Sequence, residues 1–145
     1  MEEGKGVTLI ELLLAIGIVA ILVSIVFIAI NPGEHLSTVR DAQRREEVEL
    51  IVMALLQYAV DHDGKIPSDI LTTDAKQICK MQEEHCDGVH LDFLVGGPYL
   101  KEIPVDPLRG KNDMGTNYFI MRASNGDITV SAPGVEGAQE IAVTR

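Results

Sequence analysis

The chain has 145 residues, of which 46 % are hydrophobic, and its formal net charge is -10 at pH 7. This length suits one small domain together with a single membrane helix. The acidic balance argues against general affinity for nucleic acid, because such binding depends on neutralising phosphates with cations. It also makes copies of the chain repel one another, so apolar segments would have to drive any assembly.

An apolar run dominates the N-terminal part of the chain. From Leu12 to Ile30 no residue is charged, and Ser24 is the one polar side chain. A bilayer core of about 30 Å needs roughly 20 apolar residues in a helix, so residues 7–30 are predicted to span a membrane. The run is apolar on every side, unlike the striped helix of a soluble core.

Glu11 stands at the start of this run, and no Lys or Arg lies on the same predicted helix. An ionised carboxylate in hydrocarbon costs at least a few kcal/mol, so an acid at this position indicates function and needs a partner. The alternative is that Glu11 simply reaches the lipid headgroups as a solvated residue at the helix end.

The segment Gly6-Val7-Thr8-Leu9-Ile10-Glu11, followed by an apolar run, resembles the processing site of type IV pilins and pseudopilins. The resemblance implies that residues 1–6 are a leader peptide, which prepilin peptidase removes by cutting after Gly6. It also implies a methylated terminal amine on Val7. A cleaved secretory signal is the competing hypothesis, but it would have a shorter apolar core and small residues before the cut.

Cleavage after Gly6 would provide the partner that Glu11 needs. The new amine on Val7 would lie about one helical turn from Glu11. In a filament of staggered helices, the amine of one copy could pair with Glu11 of the next, because pairing offsets much of the cost of burying either charge. The same pair could form within one chain, and the sequence does not choose between these arrangements.

Pro32 and Gly33 follow the apolar run and predict a kink or locally unwound segment over residues 31–33. Residues 34–63 then show apolar side chains at steps of three and four, which predicts an amphipathic helix. Its face from Val48 to Ala59 is expected to pack on a globular core.

A charged stretch lies before that face. Arg44 and Arg45 are expected at its surface, paired either with carboxylates of a neighbouring copy or locally, as in a pair between Asp41 and Arg45. Gly64 and Pro67 are expected to end the helix.

Residues 64–145 are predicted to form a globular head. Its first part is expected to hold a short helix that runs to Lys80. Cys79 and Cys86 predict one disulfide, because an even number of nearby cysteines outside the cytoplasm usually forms bridges. Free thiols, or a zinc site that adds His85 and His90, remain as alternatives.

Two further segments complete the predicted head. The stretch Tyr99–Pro107 is similar to the segment that leads into the sheet of the major pseudopilin of type II secretion. Strands are predicted over residues 117–123 and 127–132, joined by an Asn-Gly turn, with a third strand over residues 138–144.

Some pseudopilins bind calcium before their last strands, but the spacing of candidate oxygen ligands here matches that pattern poorly, so turn roles are expected for them. These candidates are Asp106, Asn112, Asp113 and Asp127. The chain carries no nucleophile motif, phosphate-binding loop or HExxH motif, so we expect neither an enzyme nor a cofactor.

Together these features predict an α+β protein in which a long N-terminal helix, half membrane-spanning and half amphipathic, packs on a small antiparallel sheet. The resemblance implies a structural subunit of a type IV pilus-like filament. Its partners would be other copies, prepilin peptidase, the pilus assembly machinery and, before assembly, lipid. It would cross the cytoplasmic membrane once with its head outside the cytoplasm, then join an extracellular or periplasmic filament. The alternatives are a pseudopilin of a type II secretion or competence system, and a membrane-tethered binding module that does not polymerise.

Overall fold

The computed structural model describes residues 6–30, 32–70, 73–83, 85–110, 113–137 and 139–145. The chain divides into two compact units, Met1–Leu36 and Ser37–Arg145. In the first unit, helix α1 runs over Leu9–Ile30. The segment Leu9–Ala29 has a mean hydropathy of 3.2, and it is long and apolar enough to cross a membrane. An N-terminal signal sequence meets the same criterion of length and composition.

Helix α2 runs over Pro32–Asp61, so it begins two residues before the predicted start and ends two before the predicted end. Pro32 and Gly33 lie in its first turn, where proline is tolerated because the first N–H groups of a helix have no partner within it. Residue 31 lies outside the described residues, and the kink over residues 31–33 stays a prediction.

The C-terminus of α2 is closed by a turn with two residues in the left-handed region. Asp63 has φ 55° and Gly64 has φ 77°. The N–H of Gly64 donates to the carbonyl of Ala59 at 2.7 Å, which satisfies one of the carbonyls left free at the helix end. Gly64 therefore contributes to the stop, as predicted.

The head contains one antiparallel sheet of four strands in the order β1-β2-β3-β4. The α+β class and the antiparallel sheet are therefore confirmed, with one more strand than predicted. The strands are β1 (Lys76–Cys79), β2 (Gly115–Arg122), β3 (Ile128–Ala132) and β4 (Ile141–Thr144).

The predicted helix ending at Lys80 is wrong. Ser68–Ile70 forms a single 3-10 turn, and Lys76–Cys79 pairs with β2 as an edge strand. Ile78 and Cys79 are buried there. Tertiary pairing to β2 overrides the weak helical pattern of this stretch, because a strand is stabilised mainly by what it pairs with and packs against.

The core joins the inner face of α2 to the sheet. Val48, Ile51 and Leu55 are fully buried on the helix, and they belong to one apolar cluster with Ile120 and Val130 of the sheet. On β3, burial alternates as expected for a strand with one face on a core. The predicted face of α2, residues 48–59, is thus the face that meets the core.

Candidate functional site

The N-terminal motif begins the first helix with a capping arrangement. Thr8 precedes α1, and its Oγ1 accepts a hydrogen bond from the N–H of Glu11 at 3.3 Å. The carbonyl of Thr8 accepts from the N–H of Leu12 at 3.1 Å. Glu11 is therefore the third residue of the helix, where a carboxylate interacts favourably with the helix dipole.

Gly6 and Val7 precede this helix in irregular backbone, and the side chain of Val7 is 72 % exposed. The peptide bond between them is thus outside regular hydrogen-bonded structure. Ser24, the polar residue within the apolar run, donates to the carbonyl of Ala20 at 2.8 Å, so its hydroxyl is satisfied inside the helix. In the part of the chain that the structure describes, no cationic side chain forms an ion pair with Glu11.

The head holds a cluster of charged residues around Arg44 that the sequence pattern did not predict. Arg44 of α2 is fully buried, although it was expected at the surface. Its Nε and Nη2 donate to the two carboxylate oxygens of Asp106 at 2.7 and 3.2 Å. Its Nη1 donates to Asp41 at 2.7 Å and to Glu136 at 3.1 Å. The prediction that Arg44 pairs at the surface is therefore wrong.

The predicted pair between Asp41 and Arg45 is also wrong. Asp41 pairs with Arg44 at 2.7 Å, not with Arg45, which is exposed. Asp41 also accepts the backbone N–H groups of Glu136 and Gly137, the latter at 2.7 Å. One signal was available: Arg44 lies four residues before Val48 and so falls on the buried stripe of the helix.

Asp106 lies in the segment that resembles the major pseudopilin, and it is the most deeply buried carboxylate of the cluster. It accepts two hydrogen bonds from Arg44 and one from the N–H of Leu108 at 2.8 Å. The amide of Asn117 lies 3.4 Å away, and Asn117 has φ 68° in the middle of β2. The cluster therefore ties α2, the loop before β2 and β2 itself together.

The charges in this cluster support one another. Burial raises the pKa of Asp106, but the hydrogen bonds from Arg44 and the N–H of Leu108 outweigh it and hold the pKa below its ordinary value. The hydrogen bonds to Asp106 in turn raise the pKa of the Arg44 guanidinium. Hydrogen bonds from Arg40, at 2.6 Å, and from Arg44 lower the pKa of Glu136 to about 2. All these groups are charged at neutral pH.

Cys79 and Cys86 form the predicted disulfide, so the free thiols and the zinc site are excluded. The N–H of Cys79 donates to the carbonyl of Val89 at 2.9 Å, and the N–H of Val89 donates to Gln77 at 2.8 Å. The segment that follows the disulfide loop is thus held against β1 by backbone hydrogen bonds.

The three candidate calcium ligands that the structure describes do not come together. Asp106 binds Arg44, Asp113 lies 3.2 Å from Arg109, and Asp127 accepts from the amide of Asn125 at 2.7 Å. Asn112 lies outside the described residues. Over the ranges that the structure describes, no three potential metal ligands from His, Cys, Asp and Glu lie together.

An aromatic group fixes the end of α2 to the loop before β2. The ring of Tyr58 stacks on His62 with centroids 3.9 Å apart, and it meets Phe93 and Tyr99 edge-on at 4.8 and 5.4 Å. Nearer the middle of α2, the hydroxyl of buried Tyr118 donates to Glu47. The contacts of Tyr58 with Phe93 and Tyr99 attach the segment that begins at Tyr99 to the helix.

No protein-family model, no curated protein and no solved structure matches the chain.

Proposed function

We propose that the chain is a structural subunit of a type IV pilus-like filament, which prepilin peptidase processes between Gly6 and Val7. The observation that carries the proposal is Glu11: a carboxylate in the first turn of a helix that is otherwise apolar and able to span a membrane. An acid in that place needs a cation, and cleavage would create one on Val7.

The N-terminal geometry supports this pairing. Thr8 caps the start of α1, so Glu11 is held in the first helical turn, four residues after Val7. The backbone N–H of Glu11 is satisfied by Thr8, while its side chain forms no ion pair among the described residues. The carboxylate is therefore available to a terminal amine, in its own chain or in the next.

The head supports the same function in a different way. Its charged residues at Arg44 and Asp106 are neutralised within the chain, and the surrounding loops are fixed to α2. A rigid head of this kind can be carried on the outside of a filament, while the acidic surface limits contact through the heads alone. Assembly then depends on the apolar helices.

Within this class, the runner-up is a pseudopilin of a type II secretion or competence system. The segment Tyr99–Pro107 favours it, since its resemblance is to the major pseudopilin. A membrane-tethered binding module that does not polymerise is the candidate from another class. It would leave the chain anchored with Glu11 at the headgroups.

The test is electron microscopy of sheared surface material together with mass spectrometry of its N-terminus. Filaments built of chains that start at Val7 are expected. Filaments of chains that still start at Met1 would contradict processing. A chain that is expressed and anchored in the membrane but forms no filament would contradict the proposed function and favour the binding module.

A further inference from the structure

The first part of α2 is attached to the head without a buried apolar side chain. Over residues 33–47, Arg44 is the one residue that is buried, and Val39 is 64 % exposed. The buried apolar face of the helix begins at Val48. The compact unit of the head nevertheless starts at Ser37. The contacts that attach this part of the helix are therefore polar.

The loop between β3 and β4 supplies such contacts. Nε and Nη2 of Arg40 donate to the two carboxylate oxygens of Glu136, both at 2.6 Å. In the opposite direction, Asp41 accepts the backbone N–H groups of Glu136 and Gly137 at 3.1 and 2.7 Å. The helix and the loop thus each provide a carboxylate to the other. We call these four residues the clasp: Arg40, Asp41, Glu136 and Gly137.

The loop is a firm support for the clasp, because both of its ends lie in the sheet. Ala132 at the end of β3 and Ile141 at the start of β4 are buried. Gly134 also lies close to the buried cluster, since a Cβ at this position would come within 2.8 Å of Oδ2 of Asp106 and of Nδ2 of Asn117. The loop is therefore fixed to the head at its ends and over the buried cluster.

We propose that the clasp sets how far the head extends along α2, so that unwinding of the helix from its N-terminal end stops at Arg40. The ends of a helix open most readily, and Gly33 in the first turn gains more freedom on opening than any other residue type would. At the clasp, a bidentate ion pair and two backbone hydrogen bonds have to break before the helix opens further.

The clasp can open while the rest of the head stays folded. The side chains of Asp41 and Glu136 are 16 and 26 % exposed, whereas those of Arg44 and Asp106 are buried. With the clasp removed, the pair between Arg44 and Asp106 still holds the helix. The clasp thus controls about one turn of α2, from Arg40 to Arg44.

In a filament subunit the clasp would limit how far this helix can lengthen, and this use of the clasp rests on the proposed function. A helical residue spans about 1.5 Å and an unwound one up to about 3.3 Å, so each turn that unwinds adds roughly 6 Å of chain. The clasp confines that lengthening to the residues before Arg40. The length of chain between the apolar span and the head then stays within fixed limits in every copy.

Hydrogen–deuterium exchange of the full-length, unassembled chain in detergent micelles tests the clasp. In the unaltered chain we expect slower exchange from Asp41 onward than before Arg40. Changing Asp41→Ala together with Glu136→Ala should raise the exchange rate of the amides of residues 41–44 about tenfold, because the ion pair and both backbone hydrogen bonds are lost. Alanine favours helix, so the rise cannot come from a lower helix propensity at position 41.

Two further measurements separate the clasp from a general loss of stability. Arg40→Gln removes the ion pair and leaves Asp41 in place, so it should raise the same exchange rates by a smaller factor, about threefold. Glu140→Ala, at an exposed acid of the same loop outside the clasp, should leave them unchanged. In all these variants the amides of residues 48–55, on the core face of α2, should exchange as in the unaltered chain.

Two results would overturn the inference: unchanged exchange at residues 41–44 in the double variant, or an equal rise over residues 48–55. Filaments of chains that start at Val7, together with either of these results, would refute the clasp and leave the proposed function intact. A rise confined to residues 41–44, in a chain that is anchored but never forms filaments, would uphold the clasp and refute the proposed function.

Discussion

Glu11 and Arg44 are both charged residues placed among apolar ones, and the chain treats them in opposite ways. Arg44 is fully buried and meets three carboxylates of its own chain. Glu11 lies on an exposed helix, and its side chain forms no ion pair in the described part of the chain. The charge of Arg44 is balanced within its own chain, whereas no described side chain balances the charge of Glu11.

The difference teaches where each charge acts. A buried charge that is paired within one chain fixes the fold, and removing a single partner leaves the others uncompensated. A charge without a partner next to an apolar span is stabilised only when another group of opposite charge pairs with it. We therefore expect changes at Arg44 to alter stability and changes at Glu11 to alter assembly.

The largest expected effect is on assembly. Glu11→Val should remove filaments almost completely, because the amine of a processed neighbour would lose its counter-charge in an apolar environment. The chain should still be found in the membrane fraction. Electron microscopy and membrane fractionation measure the two effects. Normal filaments from the Glu11→Val chain would show that this acid does not direct assembly.

The second effect is on stability. Arg44→Ala should lower the free energy of unfolding by about 3 to 5 kcal/mol, since it leaves Asp106 buried without its cation. Urea unfolding of the full chain in detergent, followed by the near-ultraviolet circular dichroism of its tyrosines, measures it. The matched control is Arg45→Ala, at the exposed neighbour, which should change stability by less than about 0.5 kcal/mol. Equal losses at the two positions would contradict the structural role of the cluster.

The third effect concerns the disulfide. Replacing Cys79 and Cys86 by alanine should lower the free energy of unfolding by roughly 2 to 3 kcal/mol, because the unfolded chain gains the freedom of an open loop. Reduction of the unaltered chain should give a similar loss in the same urea experiment. Filament formation should survive if the head still folds, which separates this change from the one at Glu11.

The smallest effect is on the pH dependence of stability. The pKa values of Asp106 and Glu136 are lowered in the folded state, that of Glu136 to about 2, so their stabilisation is complete above the ordinary carboxyl pKa of about 4. It is lost as the pH falls through the lowered values. The stability difference between the unaltered chain and Glu136→Gln should therefore shrink between about pH 6 and about pH 2.

Thermal unfolding of the two chains at both pH values measures that difference. Glu140→Gln provides the control, because Glu140 is exposed and lies outside the cluster. A difference between the unaltered chain and Glu136→Gln that stays constant over this range would show that Glu136 does not contribute through its charge.

Much of the head could be predicted where the signal was local. The Asn125-Gly126 turn indicated the hairpin, and Gly126 does adopt φ 98° between β2 and β3. The inward face of α2 followed from the spacing of its apolar residues. Strand β1 escaped prediction because its stability comes from pairing with β2, which begins 36 residues after β1 ends in the sequence, from Cys79 to Gly115.

The sequence by itself determined the apolar span, the acid at its start and the pairing of the two cysteines, because each depends on residues within a few turns of chain. Only the tertiary structure decided that Arg44 is buried. Its main partners, Asp106 and Glu136, lie 62 and 92 residues away. No local pattern can show that a cation will leave water, because the desolvation cost is offset only when the fold brings distant carboxylates to it.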